Sequence, residues 1–310
     1  MLAGTAVYGT VRTVVWEDGG GDPASYPVGA CMSRPKWRLI RSGASTGAWN
    51  MALDEALLES VAAGHSLPVL RLYGWQPAAV SLGYSQRLEA AVDLEACRSL
   101  GCDVVRRITG GRAVLHDREV TYSVISPERS ALFPGGILEN YQVIARVLQQ
   151  TLDSFGLETS LASGRSHRCG DSAAQQSACF TAPATWELLY AGCKMTGSAQ
   201  KRQGDSFLQH GSIPLDLDLD RLFQALDTER RISPRAGGNL LARSVGCLNR
   251  WLSQPVTVVE VEERLLSCFS RSWQVCLVED RPTAAEQSRA AQLAAEKYDN
   301  PAWTLKRQVS

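Results

Sequence analysis

The sequence predicts an α+β fold, a mixed β-sheet flanked by helices, on three observations. Strand-like apolar runs recur at residues 69–73, 78–82, 103–108, 120–126 and 207–215, several with the period of two that a half-buried strand requires. Two other segments repeat their apolar residues at helical spacing, one through Leu53, Leu57, Leu58 and Val61, the other through Ile137, Tyr141, Ile144, Leu148, Leu152 and Phe155. Glycine and proline punctuation, such as Gly74-Trp75-Gln76-Pro77 and Gly110-Gly111, separates the runs.

Taken in order, residues 38–41 read as a short strand before a small-residue turn at 42–47. Asn50 then caps the first helix, which ends near Gly64, and Asp54 and Glu55 read as favourable charges in its first turn. In the strand at 69–73, Arg71 and Tyr73 share one side and Leu70 and Leu72 the other. Asp93 caps a short helix stopped by Gly101, and the strand at 103–108 runs straight into Gly110-Gly111. The segment 158–176 is polar and irregular, and a strand at 185–190 follows. Residues 221–226 read as a helix. Arg230, Arg231, Arg235 and Arg243 form a basic cluster that reads first as a solvated loop and second as a contact for an acidic protein. A helix at 257–270, a strand at 275–278 and a helix at 283–298 close the chain.

Two side chains carry candidate chemistry. A cysteine with a pKa of roughly 8.5 is only about 3% thiolate at neutral pH, and lowering that value by about two units makes most of it reactive. An ammonium within about 4 Å in a partly desolvated cleft supplies on the order of 4 kcal/mol toward that shift. Cys179 and Lys194, fifteen residues apart, are such a pair. On their local sequence alone, Cys169 and Cys193 are barely distinguishable from Cys179, since most cysteines are small buried apolar residues.

The segments Cys179-Phe180-Thr181-Ala182-Pro183, Lys194-Met195-Thr196-Gly197-Ser198-Ala199-Gln200 and Gln209-His210-Gly211-Ser212 separate them. Together with Trp49-Asn50-Met51-Ala52-Leu53-Asp54-Glu55-Ala56 upstream and the stretch from Arg106 through Gly110-Gly111-Arg112 to His116-Asp117, they resemble the lipoate/biotin protein ligase superfamily. Within it they resemble the cysteine-dependent octanoyltransferases of the LipM type. The resemblance implies that superfamily's catalytic-domain fold, with Cys179 carrying octanoyl as a thioester and Lys194 lowering its pKa. ATP-using lipoate ligases usually have a third glycine where Arg112 stands and no cysteine at the position of Cys179.

The expected substrate-binding residues are Arg107, Gly110, Gly111, Arg112, His116, Gly197, Ser198, Ala199 and His210. Glycines allow close backbone approach to a ligand, the arginines suit a carbonyl or phosphate, and the small residues leave room for an acyl chain. A double glycine is also an ordinary hairpin turn, and a lone histidine at a strand end is more often a structural hydrogen-bonding group.

The implied reaction takes octanoyl from octanoyl-acyl carrier protein to a lysine of a lipoyl domain or of the glycine-cleavage H protein, with no cofactor. Three alternatives stay open: an ATP-dependent lipoate ligase, an amidotransferase moving octanoyl between carrier domains, and an acyl- or lipoyl-domain-binding module without turnover.

Composition agrees with a globular protein. The chain has 310 residues and 45% apolar content, and its 32 basic residues balance 32 acidic ones. No global field draws it to nucleic acid or an anionic membrane. Nine cysteines without regular spacing and no apolar run near twenty residues argue against a disulfide scaffold, a metal site or a membrane span, and fit a cytoplasmic setting. Expected domains are an N-terminal extension at 1–36 that reads as loop or disorder, a catalytic domain at 37–250 and a small appendage at 251–310. Met32 is the expected biological start, so deleting residues 1–31 should leave activity intact.

Overall fold

The computed structural model describes residues 33–162 and 186–307. Residues 1–32 of the expected N-terminal extension, Met32 among them, and Cys179 lie outside the described residues, while Lys36, expected at the end of that extension, is the first residue of a strand of the main sheet.

The main sheet is mixed, as the sequence predicts. Its strands are β1 (Lys36–Ser45), β2 (Val69–Trp75), β6 (Glu119–Pro127), β10 (Gly197–Gln203), β11 (Ser206–Pro214) and β12 (Cys276–Asp280), in the spatial order β10-β11-β6-β2-β1-β12. β1 pairs parallel with both β2 and β12, while β2 with β6, β6 with β11, and β11 with β10 pair antiparallel. A smaller sheet sets β3 (Ala79–Leu82) between β4 (Asp103–Arg106), parallel to it, and β5 (Val114–His116), antiparallel. The third joins β7 (Ser160–Leu161), β8 (Leu188–Tyr190) and β9 (Cys193–Lys194).

Helix α1 (Gly47–Ala62) starts three residues before Asn50, because Thr46 is the residue whose side chain accepts from the Trp49 N–H. Asp54 therefore falls in mid-helix instead of the first turn, which changes its role entirely. The helix is buried on most sides, with Met51, Leu53, Leu57, Leu58 and Val61 packed with Ile40, Tyr73, Ile125 and Leu208 of the main sheet. A helix with two packed sides needs apolar residues around its circumference, which its sequence supplies.

After α2 (Leu94–Ser99), α3 (Ile137–Asp153) lies on the opposite face of the sheet. Its Ile144, Leu148 and Leu152 join Leu72, Val124 and Phe207 in a second core, each burial of this kind contributing about 1.5–3 kcal/mol. Ile137 instead is 54% exposed, since it sits in the first turn, beyond the part of the helix that reaches the core.

Two short helices, α4 (Leu219–Leu226) and α5 (Pro234–Leu241), cover the small sheet through Leu222, Phe223 and Leu241. The residues after 250 are woven into the same body. Helix α6 (Val258–Trp273) packs Leu265 and Phe269 into the α3 core, β12 closes the sheet beside β1, and α7 (Ala284–Leu293) lies along α1. A last turn, α8 (Pro301–Lys306), buries Trp303 against the α1 core.

Among the described cysteines, Cys97, Cys102, Cys193, Cys247 and Cys268 are free, whereas Cys276 is disulfide-bonded, a bridge that the irregular spacing does not predict. No helix among the described residues is long and apolar enough to cross a membrane.

Candidate active site

Where α1, the small sheet and the β10–β11 end of the main sheet meet, they line a half-open pocket, whose empty space together with the solvent at its mouth is about 370 Å³. Six of the expected site residues line it: Arg107, His116, Gly197, Ser198, Ala199 and His210. Met51, Tyr73, Trp75 and Val114 also line it and add apolar surface.

The small residues are there because backbone must come close. Gly197 faces Ser212 and Ser198 faces Gly211 across the β10–β11 ladder, and a Cβ on Gly211 would stand 2.4 Å from the Gly197 carbonyl oxygen. The Gly110-Gly111 turn is pinned as tightly, since a Cβ on Gly83 would stand 1.9 Å from the Gly111 carbonyl oxygen. Gly111 itself adopts φ +89°, the region that favours glycine.

Arg107 holds that turn in place. Its five N–H groups reach five acceptors: Thr109 Oγ1 at 3.1 Å, Ser81 O and Oγ at 2.7 and 3.0 Å, and the carbonyls of Gly110 and Arg112 at 2.8 Å each. The guanidinium thus builds the loop and faces the pocket as part of its wall. Arg112 is half-buried and contributes its carbonyl to the same clasp.

Asp54 is the hub of the polar wall. Oδ1 accepts from Arg71 at 2.6 Å, and Oδ2 accepts from Tyr73 at 2.9 Å, Ser123 at 2.8 Å and His210 Nδ1 at 3.0 Å. Burial alone would raise the carboxyl pKa, but the charge of Arg71 and the hydrogen bond from His210 outweigh it and hold Asp54 below the ordinary range. Burial lowers the His210 pKa against the pull of Asp54, so the ring is neutral at pH 7. A neutral ring donating from Nδ1 accepts at Nε2, here from the Thr109 hydroxyl at 2.7 Å.

A second chain of hydrogen bonds runs along the other wall. His116 Nε2 meets Ser81 Oγ at 2.7 Å and Nδ1 meets Glu119 Oε1 at 2.7 Å, while the ring stacks on Trp75 with centroids 4.1 Å apart. Thr121 donates to Glu119 at 2.6 Å and accepts from Trp75 Nε1 at 2.7 Å. Arg107 links both walls through Thr109 and Ser81. The polar side chains of the wall are therefore largely partnered by one another, and what remains for an occupant is mostly carbon.

Lys194 stands apart from this wall. It is 1% exposed in β9, its Nζ lies 2.5 Å from Glu187 Oε1, and it is not among the side chains lining the pocket. Its backbone is fixed on both sides, donating to Ser244 O at 2.8 Å and accepting from Gly246 N at 2.9 Å. Cys179 lies outside the described residues, and Gly110, Gly111 and Arg112 belong to the loop that Arg107 clasps without lining the pocket themselves.

Asp54, Ser81, Thr109, Glu119 and Glu187 are site residues that the sequence reading missed. The one available signal was Arg71 and Tyr73 on a single strand side, an arrangement that calls for an acidic partner across it. Among the described residues no cluster of His, Cys, Asp and Glu could hold a metal ion.

Comparison with known proteins places these features in context. The profile of the lipoyl protein ligase A/B catalytic domain matches residues 46–270. The protein called octanoyltransferase LipM in Bacillus subtilis is 38% identical over 279 residues, covering 89% of this chain and 100% of the relative. The protein of that name in Carboxydothermus hydrogenoformans is 38% identical over 273 residues, 87% of this chain and 98% of the relative. A crystal structure of lipoate-protein ligase A bound with ATP superposes with a TM-score of 0.70 at 23% identity, covering 88% of this chain and 98% of its own. A bi-partite lipoate protein ligase from Thermoplasma acidophilum gives 0.71 at 22% identity, covering 89% and 98%. At such identities the solved structures establish the fold.

Proposed function

The chain belongs to the lipoyl protein ligase A/B catalytic domain family, and from that premise we propose that it is an octanoyltransferase of lipoate biosynthesis that works through a Cys179 thioester. The observation that carries this reading is the pocket, a half-open site whose polar side chains are engaged with one another and whose exposed lining is mostly apolar. Such a wall suits a saturated chain, and burying about six methylenes contributes on the order of 5 kcal/mol to binding it.

The donor is octanoyl-acyl carrier protein. The Cys179 thiolate attacks the thioester carbonyl carbon, a new C–S bond forms, the old one breaks, and the carrier leaves as a thiolate that takes up a proton. Exchange of one thioester for another is nearly balanced in energy, so loading needs no nucleotide. In the second step the amine of a lysine on a lipoyl domain or glycine-cleavage H protein attacks the same carbon, and Cys179 leaves as the thiolate while the amine gives up a proton. Amide formation drives completion. Lys194 supplies the positive charge that keeps sulfur anionic, and Glu187, 2.5 Å from its Nζ, sets where that charge stands. Arg107, Gly110, Gly111 and Arg112 shape the loop beside the acyl carbonyl, while Gly197, Ser198, Ala199, His116 and His210 border the chain.

Intact-mass measurement after mixing with octanoyl-acyl carrier protein tests this. The expected result is one octanoyl adduct that hydroxylamine removes and that Cys179→Ala abolishes. Activity that survives Cys179→Ala and consumes ATP would overturn it in favour of a ligase.

A further inference from the structure

Residues 230–259 contain five arginines, at 230, 231, 235, 243 and 250, and no aspartate, glutamate or lysine until Glu260, in a chain whose charges otherwise balance at 32 against 32. Arg230 is taken up by Asp93 and Glu95, and Arg231 has one exposed partner in Glu229 at 3.2 Å. Arg235 on α5 and Arg243 just beyond it are exposed and have no carboxylate partner among the described residues. Arg250, also exposed, stacks over Trp251 at 4.7 Å and, among the described residues, donates to the carbonyls of Ala242 and Val245 and toward Cys193 Sγ. The nearest acidic side chain of α4 against this helix, Asp220, lies at Gly238.

The position of this face gives it meaning. Ser244, Val245 and Gly246, directly after Arg243, run beside Lys194 and bond its backbone on both sides. Arg250 reaches the residue before Lys194. Free positive charge is thus concentrated on the outer side of the strand that carries the proposed catalytic lysine.

We propose that Arg235, Arg243 and Arg250 form the docking face for the acidic protein carrier that delivers the acyl thioester. This rests on the octanoyl-transfer reading. The donor is favoured over the acceptor by charge, because a carrier presents its acyl group on a phosphopantetheine arm whose phosphodiester is an anion at the protein surface, whereas the acceptor presents a lysine cation. Arginine binds phosphate and carboxylate with paired N–H groups and would repel the lysine. Such charges act mainly on encounter and orientation.

The test measures binding of fluorescently labelled holo-acyl carrier protein by anisotropy, for the unmodified chain and for the R235E/R243E variant, at low and moderate salt. Neither side chain has a carboxylate partner among the described residues, so the variant should keep its thermal midpoint. The expected result is a Kd weakened by about tenfold or more at low salt, with a flatter salt dependence. Loading of Cys179 from octanoyl-pantetheine, which has neither protein nor phosphate, should stay within twofold. An unchanged Kd, an equal loss with octanoyl-pantetheine, or weakened binding of a lipoyl domain in place of the carrier would overturn the proposal. Carrier binding that depends on these arginines without any acyl adduct would support the docking face and sink the transfer reading instead.

Discussion

Replacing Asp54 with alanine removes the acceptor for four donors at once and leaves Arg71, which is fully buried, without its carboxylate. Breaking a buried ion pair from one side typically costs about 3–5 kcal/mol, because the surviving charge stays desolvated. Arg71 keeps Ser42 Oγ at 2.9 Å, the Asn50 carbonyl at 3.0 Å and Asn50 Oδ1 at 2.7 Å, with the Tyr73 ring 3.9 Å from its guanidinium carbon. Those contacts place the expected loss near the lower end, about 3 kcal/mol, with part of it due to the orphaned Tyr73, Ser123 and His210 groups. Urea unfolding monitored by tryptophan fluorescence measures it. The double variant Asp54→Ala with Arg71→Met should recover part of the loss, since it removes the stranded charge. A single-variant loss below about 1 kcal/mol, or a double variant that costs the plain sum of the two singles, would refute the hub role.

Two further outcomes follow from the same geometry. Gly83→Ala drives a methyl into the Gly111 carbonyl, 1.9 Å from the ideal Cβ, so the Arg107-clasped loop must move. Adduct formation from octanoyl-pantetheine should slow by at least about tenfold at a stability cost of about 1–3 kcal/mol, and activity within twofold of normal would contradict a positioned loop. The folded pKa of His210 is lowered below the unfolded value of 6.5, so the unfolded chain takes up the proton first. Stability should therefore be full above pH 6.5 and fall as the pH drops below it, by at most about 1.4 kcal/mol per pH unit, and His210→Gln should flatten that slope in unfolding curves between pH 5 and 7. Identical slopes for the two proteins would exclude His210 as the source.

The alternation of residues 69–73, 120–126 and 207–215 and the helical period from Tyr141 to Leu152 sufficed for the mixed sheet and its flanking helix, because burial against one face is a local pattern. The first helix was harder. Asn50 and Thr46 are both good caps, and choosing the later one placed Asp54 in the wrong turn, hiding the residue on which Arg71, Tyr73, Ser123 and His210 converge. These partners stand 17, 19, 69 and 156 residues away, so only the packing of α1 on β2, β6 and β11 brings them together. Trp75 illustrates the same limit from another side. Read as part of a turn signal, it is the last residue of β2, and its indole stacks on His116 and lines the pocket. Arg107 was legible as a site residue and its binding partners were not, since a guanidinium in a glycine-rich loop looks the same in sequence whether it meets a phosphate or five groups of its own chain.

The parallel pairing of β12 with β1 carries a consequence for how the molecule can come apart. Cys276 to Asp280 lie against Lys36 to Ile40, and Arg38 extends this seam to Glu286 at 2.6 Å. Two segments about 240 residues apart are thereby stitched together, and a ribosome must have made both before the outermost strand finds its neighbour. Shortening the protein after residue 275 would leave the edge of β1 bare, inviting self-association, and would strip α7 and α8 from α1, the helix that brings Met51 and Asp54 to the chamber.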